Sequence, residues 1–274
     1  MSARRQLDPE LVTALKRLKL GRIIDTLIER LVLADKQDLS FEELLLLVLR
    51  DEIERRDSSA AERRAHDAHL DPEMRLERFD KTAKVSYDKR LLAELTSLRF
   101  INSHQHIVIL GPVGVGKTFV ATALGQLACQ HGYHVCFVRA DDMLRTLRQS
   151  RLDNSREAEM VKLTTVDLLI LDDFALEPMT KDESRDVYQL FLERTARGSM
   201  IVTSNRDTAE WIGMFADVLL AQSAVDRFNN TAFDFVMEGE SYRPRLKPKL
   251  DPKNPPPETP APRPATARGR RRRR

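Results

Sequence analysis

The stretch HIVILGPVGVGKTFVATALGQLA, residues 106–128, decides the fold. Residues 106–110 are a short apolar run, GPVGVGKT at 111–118 is rich in glycine, and the residues after it favour a helix. Glycine lets the backbone curl so that successive N–H groups face one anion, and the start of the next helix adds the positive end of its dipole. The order strand, loop, helix is the one that a phosphate-binding loop needs. The sequence therefore predicts a nucleotide-binding loop here, and a simple glycine-rich turn is the weaker alternative.

Two residues of this loop have predicted chemical roles of their own. Lys117 can reach the outer phosphates of a nucleotide, and the Thr118 hydroxyl can ligate Mg²⁺. The other loop residues contribute backbone groups and the tight curvature. The predicted nucleotide contacts are Gly111, Pro112, Val113, Gly114, Val115, Gly116, Lys117 and Thr118.

A second apolar run, LLILDDF at residues 168–174, ends in two adjacent aspartates. Buried neighbouring carboxylates repel each other and are costly, so something positive must offset them. We expect this strand to lie beside the one that feeds the loop. Asp172 would then hold Mg²⁺, and Asp173 would orient a water beyond the last phosphate. An acidic surface turn is the alternative interpretation.

The rest of the central region alternates between strand-like and helix-like segments. Alternation of this kind predicts an α/β fold in which a parallel sheet has helices on both faces. The extra strand YHVCFV, between Lys117 and Asp172, favours the ATPase branch over the simplest nucleotide kinases. The strand candidates are residues 106–110, 134–138, 168–171, 200–203 and 233–237.

Two further residues are candidates for the site. Asn205 follows the strand SMIVTS, where a polar side chain can contact both water and the γ-phosphate, although a turn or helix cap is an alternative. Arg227, in AVDRF, can be offered to the nucleotide of a neighbouring subunit to stabilise the transition state. A surface arginine paired with Asp226 is the alternative there.

The two ends of the chain differ from the centre. Residues 8 to about 76 carry leucine, isoleucine and valine at three- and four-residue steps, which predicts a helical docking domain over 1–76. Ser40 and Glu43 are spaced as a capping box. Residues 243–274 hold 12 Lys and Arg against two acidic residues, together with nine of the 13 prolines. We therefore expect 77–248 to be the α/β domain and 249–274 to be a disordered basic tail suited to a polyanion.

Composition narrows the class of protein. The 274 residues are 42% hydrophobic and 32% charged, and no apolar run approaches the roughly 18 residues of a membrane span. Residues 1–30 lack the pattern of a signal peptide, and two cysteines are too few for a disulfide framework. These features predict a cytoplasmic protein without a membrane partner.

Arginines after the second strand are the candidate DNA contacts. DDMLRTLRQSRL places Arg145 and Arg148 three residues apart on one helix face, with Arg151 a turn further on. Contacts from arginine to DNA phosphates do not depend on base sequence. Asp141, Asp142 and Asp153 nearby favour the alternative of an ordinary solvated helix.

The strings GPVGVGKT, LLILDDF, IVTSNRDTAEW and DRFNNTAFDFVMEGESYR, in this order, resemble the IstB-type ATP-binding proteins of insertion sequences. Those are AAA+ ATPases close to the DnaC-type helicase loaders. The resemblance covers about residues 8–247. It implies ATP and Mg²⁺ as ligands, Asn205 as the first sensor, Arg227 as the arginine finger, and no C-terminal helical lid. It also implies a homo-oligomer in the ATP state that binds double-stranded DNA, is associated with the nucleoid, and assists a cognate transposase.

The chain departs from the family pattern at two positions. Asp173 stands where the catalytic base is usually Glu, so we expect slow basal ATP hydrolysis. Phe119 stands where the family commonly has His. Two alternatives to a transposition helper remain open: a DnaC-like helicase loader, and an architectural DNA-binding protein with ATP as a structural ligand.

Overall fold

The computed structural model describes residues 6–80 and 82–246. Its N-terminal part is helical, and Ser40 and Glu43 form the predicted capping box at the start of the third helix. That helix ends at Asp67, so the helical prediction to residue 76 is wrong beyond this point. The chain turns there because His69 has a φ of 58° and Pro72 cannot continue a helix. The three helices are α1 (Pro9–Arg17), α2 (Ile24–Gln37) and α3 (Phe41–Asp67).

The remaining residues alternate between helices and strands, as the sequence predicts. The helices are α4 (Lys89–Thr96), α5 (Arg99–Asn102), α6 (Lys117–Gln130), α7 (Ala140–Ser150), α8 (Arg156–Thr165), α9 (Lys181–Arg197), α10 (Thr208–Trp211) and α11 (Val218–Asn229). The strands are β1 (Val85–Ser86), β2 (His106–Leu110), β3 (Val135–Arg139), β4 (Leu168–Asp172), β5 (Ser199–Ser204), β6 (Ala232–Val236) and β7 (Glu238–Gly239).

In the described residues the main sheet has five parallel strands in the order β3-β4-β5-β2-β6. This order corrects one prediction, because β4 does not lie beside the loop-feeding strand β2. Strand β5 is inserted between them, and four of its six residues pair with each neighbour. The site therefore draws side chains from three adjacent strand ends instead of two.

Helices cover both faces of the sheet, as predicted. One face packs on α7, α8, α9 and α11 through a cluster that includes Met143, Leu190 and Phe228. The other face packs on α4, α5 and α6 through a cluster that includes Leu95 and Leu124. Burial of this apolar surface is the main stabilising contribution to the fold.

Helix α3 joins the two parts of the chain. Its first half packs on the preceding helices, with Val48 against Ile23 and Leu27. At its other end Ala65 belongs to the cluster beneath α6. The predicted tail, 249–274, lies outside the described residues. Within the described ranges, no helix combines the length and the apolar character that crossing a bilayer requires.

Candidate nucleotide-binding site

The predicted loop lies at the carboxyl end of β2, and Lys117 is the first residue of α6. The Lys117 side chain is 6% exposed, and its Nζ donates to the carbonyl oxygens of Gly111 at 2.8 Å and Pro112 at 3.0 Å. Burial lowers the pKa of Lys117, and the charges of Asp173 and Asp172 oppose that shift. The ammonium is thus held over the loop in which it was predicted to meet phosphates.

Asp172 is the last residue of β4 and is 3% exposed. Its carboxylate accepts hydrogen bonds from the Thr118 hydroxyl at 2.9 and 3.1 Å and from the Thr203 hydroxyl at 2.6 Å. Burial raises the pKa of Asp172, while these two hydroxyls act in the opposite direction. The sequence predicted the meeting of Thr118 and Asp172, but it did not identify Thr203.

Asp173 follows in a left-handed backbone conformation, with a φ of 55°. Its N–H donates to the Thr203 hydroxyl at 2.9 Å. Its carboxylate lies 3.7 Å from a guanidinium nitrogen of Arg139, the last residue of β3. Arg139 also donates to Asp141 at 3.1 Å. Arg139 was not among the predicted site residues, because nothing in its local sequence indicates that β3 ends beside Asp173.

A cavity of about 500 Å³ opens in front of these groups. Residues 113–119 and Asp173 form one side of it, and the segment before β1 forms another. Phe79 and Phe119 both line it, with ring centroids 5.6 Å apart. Such an apolar wall suits the planar base of a nucleotide. Phe119, whose role could not be derived from sequence, therefore belongs to this wall.

Tyr242 and Arg243 line the other side of the cavity, and we call the stretch that carries them, residues 237–245, the closing segment. The Met237 N–H donates to the carbonyl of Leu110 at 2.8 Å, and the Tyr242 N–H donates to the carbonyl of Gly114 at 2.8 Å. A Cβ at Gly114 would overlap the Ser241 hydroxyl, and Gly114 also has a φ of 88°. The loop glycine at 114 is therefore required both by loop curvature and by the closing segment.

The closing segment also reaches the wall opposite the loop. Arg245 donates to Asp80 at 3.0 Å and to the carbonyl of Thr82 at 3.1 Å. A hydrogen bond to Asp80 raises the pKa of the Tyr242 hydroxyl. Arg243 lines the cavity. The string GESYR is the end of one of the strings that carry the family resemblance, but its place over the loop is visible only in the fold.

The Thr118–Asp172 pair fits a hard divalent cation such as Mg²⁺. Both offer oxygen ligands, and the protein partners of the buried Asp172 carboxylate are neutral hydroxyls. No group of three or more His, Cys, Asp or Glu that could hold a metal occurs in the described ranges. Protein groups would therefore supply only part of the coordination, and nucleotide phosphates would supply more.

Two predicted catalytic residues lie away from the cavity. Asn205 is exposed just after β5, and Arg227 is exposed on α11; neither lines the cavity. Within the part of the chain that the structure describes, Arg227 forms no ion pair. The Ser204 hydroxyl, by contrast, is buried and bonded to the Phe174 carbonyl and the Trp211 indole N–H, so it is structural.

The three candidate DNA arginines differ in their surroundings. Arg145 pairs with Asp142, and Arg148 lies 3.4 Å from Glu183; their side chains are 57% and 65% exposed. Arg151 instead donates to the buried carboxylate of Asp186 at 2.6 Å. The structure thus leaves the first two accessible and gives the third a structural partner.

Comparisons with known proteins place the chain among ATP-binding proteins of insertion sequences. The chain is 38% identical over 239 residues to an ATP-binding protein of an insertion sequence from Mycobacterium tuberculosis, covering 87% of this chain and 95% of the relative. It is 34% identical over 241 residues to the ATP-binding protein of insertion sequence IS21 from Pseudomonas aeruginosa, covering 87% and 90%. Among solved structures, the replication initiator DnaA bound to AMPPCP and single-stranded DNA matches with a TM-score of 0.50, 25% identity, and coverage of 62% of this chain and 51% of that one.

The fold is that of the P-loop AAA+ proteins, as the five-stranded parallel sheet and the DnaA likeness show. The profile of the IstB-like ATP binding protein family matches residues 13–250, which include the whole of the described site. The chain belongs to the IstB-like ATP binding protein family.

Proposed function

We propose that this protein is an ATP-hydrolysing switch that assembles on double-stranded DNA when ATP is bound and assists a transposase in insertion-sequence transposition. The observation that carries the proposal is the convergence of Lys117, Thr118 and Asp173 at one cavity, with the buried Asp172 hydrogen-bonded to Thr118 behind them. The relatives named as insertion-sequence ATP-binding proteins support the biological setting. They favour this role over helicase loading.

The residues divide the chemistry among them. Lys117 and the loop N–H groups would bind phosphate oxygens, while Thr118 and Asp172 would hold Mg²⁺, which would neutralise phosphate charge. Asp173 accepts a proton from the attacking water. Its carboxylate is 37% exposed and faces the cavity, so water can reach it. Asn205 is exposed outside the cavity, so its proposed role on this water would require its side chain to move toward the γ-phosphate when nucleotide binds.

Assembly is proposed to complete the site. Arg227 is exposed and outside the cavity of its own chain, as expected for a side chain that serves a neighbouring subunit. A guanidinium supplied in this way would stabilise the charge that develops on the transferred phosphoryl group. Hydrolysis would then weaken the contact between subunits and release the assembly.

DNA binding is assigned to the α7 surface and to the basic tail. Arg145 and Arg148 are accessible. The pair of Arg145 with Asp142 is exposed and of low energy, and Arg148 is 65% exposed and only 3.4 Å from the mostly buried Glu183, so a DNA phosphate can replace either partner. The terminal run of arginines adds attraction for a polyanion. An architectural role with ATP as a structural ligand predicts no stimulation of hydrolysis by DNA. Cytoplasmic, nucleoid-associated localisation follows from this proposal.

The transposase would dock on the N-terminal helices. An apolar row on α3 is exposed, comprising Phe41 at 93%, Leu45 at 59% and Ile53 at 57%. These positions are four and eight residues apart, so they lie on one side of the helix. An exposed row of this kind is typical of a protein-binding surface.

The test is the particle mass on a duplex of about 60 base pairs with ATP, with ADP and without nucleotide. We expect a multi-subunit complex only with ATP, and none for Lys117→Ala. An equal mass of the protein–DNA complex in all three states would contradict the proposal that ATP controls assembly. A parallel titration on a single strand of the same length distinguishes duplex binding from the loader alternative.

A further inference from the structure

Thr203 is a buried hydroxyl in the string IVTSN, two residues before Asn205, and the sequence alone predicts no role for it. It lies on β5, one position beyond Val202, which pairs with Leu171 of β4. Its side chain is fully buried, and its hydroxyl has two partners, both in the Asp172–Asp173 turn. This arrangement exists because β5 separates β2 from β4 and so brings Thr203 beside the acidic pair.

The Thr203 hydroxyl connects the two acids directly. It donates to Oδ1 of Asp172 at 2.6 Å and accepts from the N–H of Asp173 at 2.9 Å. The carbonyl of Thr203 accepts from the N–H of Phe174 at 2.8 Å. One residue therefore fixes the side chain of Asp172 and the backbone of the two residues after it.

Both groups need this support. The Asp172 carboxylate is buried, so its rotamer must be held by hydrogen bonds to remain ionised and correctly aimed. Asp173 has a φ of 55°, which is unfavourable for a residue with a side chain and persists only where neighbours stabilise it. The Thr118 hydroxyl would contact both Asp172 and the proposed cation. The Thr203 hydroxyl would not contact the cation, so its role is to hold the acidic pair.

We propose that Thr203 is the positioning residue of the site, holding Asp172 ready for Mg²⁺ and directing the Asp173 carboxylate toward the nucleotide. The inference rests on the proposed function only in taking Mg²⁺–nucleotide as the ligand. It does not depend on hydrolysis, DNA binding or assembly.

The test compares Thr203→Val, which keeps the shape and loses the hydroxyl, with Thr203→Ser, which keeps the hydroxyl. The measured quantity is the Kd of the full-length protein for ADP by calorimetry, in Mg²⁺ and in EDTA, together with kcat. The Mg²⁺ effect is the ratio of the Kd in EDTA to the Kd in Mg²⁺. For T203V we expect this ratio to fall about 10- to 100-fold, the range seen when a partner of a metal ligand is removed. Binding in EDTA should stay within about threefold, and T203S should restore the Mg²⁺ effect.

Ser199→Ala is the matched control, because it removes a buried hydroxyl from the other end of β5, where Ser199 donates to the Phe100 carbonyl at 2.9 Å. It should lower Tm without changing the Mg²⁺ effect. If T203V does not fold, Thr203→Ala replaces it, since a smaller side chain leaves room for water beside Asp172. A wild-type Mg²⁺ effect in T203V or T203A, or failure of T203S to restore it, would overturn the inference. Loss of hydrolysis or of assembly in the wild type would overturn the proposed function alone.

Discussion

The guanidinium of Arg139 lies 3.7 Å from the carboxylate of Asp173, the proposed catalytic base. Arg139 ends β3 and immediately precedes α7, the helix that carries Arg145 and Arg148. The same guanidinium is held by Asp141 on the first turn of that helix. The proposed base is therefore connected, through one side chain, to the surface proposed to meet DNA.

Replacing Arg139 with Gln should raise basal ATP hydrolysis, because the Asp173 carboxylate is then free to accept a proton from water. Both side chains are more than a third exposed, so the pair contributes about 1 kcal/mol at most, and the rise should not exceed about fivefold. Asp141→Asn should lower the rate, since Arg139 then has only Asp173. Steady-state kcat of the two variants tests whether the Arg139–Asp173 ion pair limits basal hydrolysis. A change of kcat in the same direction in both variants would contradict this prediction.

As the proposed catalytic base, Asp173 should set the basal rate of ATP hydrolysis. A shorter side chain than Glu reaches the water less well, so Asp173→Glu should raise kcat several-fold. Asp173→Asn removes the base and should lower kcat by about 100-fold or more. Nucleotide affinity should change little in either variant. Rapid turnover by the purified wild-type protein, or no gain in D173E, would show that side-chain length is not limiting.

We expect the three arginines to have different roles: Arg151 should affect stability, whereas Arg145 and Arg148 should affect DNA binding. Arg151→Ala removes one partner of buried Asp186 while Arg156 remains at 2.6 Å, so it should cost about 1–3 kcal/mol of unfolding free energy. The double variant R145A/R148A should keep its Tm but bind duplexes of any sequence more weakly, with a salt slope reduced by about 2. Thermal unfolding and fluorescence anisotropy across a salt series measure the two quantities. An unchanged salt slope in R145A/R148A would remove α7 from the DNA surface.

The closing segment should control nucleotide release. Arg245→Ala breaks the contacts with Asp80 and Thr82 that join the two walls of the cavity. These are partly exposed contacts of about 1 kcal/mol, so the dissociation rate of a fluorescent nucleotide should rise about fivefold. Arg185→Ala, which removes an exposed pair with Asp182 on α9, is the control. Equal dissociation rates in R245A and the wild type would show that the segment does not retain the nucleotide.

Acid should destabilise the fold through His106. This residue is fully buried in β2, its Nδ1 accepts from the Met200 N–H, and burial lowers its pKa to about 4. As the pH falls, the histidine of the unfolded chain is protonated near pH 6.5, whereas the buried His106 stays neutral until about pH 4. The free energy of unfolding should therefore fall by up to about 3 kcal/mol between about pH 6.5 and pH 4. His106→Asn keeps an acceptor and should flatten this part of the curve of unfolding free energy against pH. His66→Asn, at an exposed histidine, should leave the slope unchanged; an equal slope in H106N would assign the acid sensitivity elsewhere.

The sequence by itself determined the loop, the strand–helix alternation and the acidic pair at Asp172 and Asp173. Each depends on residues close together in the chain: glycine spacing, an apolar run, or a charge at the end of a strand. These preferences depend on neighbouring residues and not on contacts with distant segments, so each can be predicted from one short stretch of sequence. The Ser40–Glu43 capping box was predictable for the same reason.

The tertiary structure alone decided which distant groups became neighbours. It placed β5 between β2 and β4, set Thr203 against both acids, aimed Arg139 at Asp173, and laid the closing segment over Gly114. Strand order depends on how whole faces of the sheet are buried against helices, and no spacing along the chain encodes that choice. The residues that could be predicted are therefore those proposed to contact the nucleotide, whereas the residues that hold and cover the site emerge only from the packed sheet.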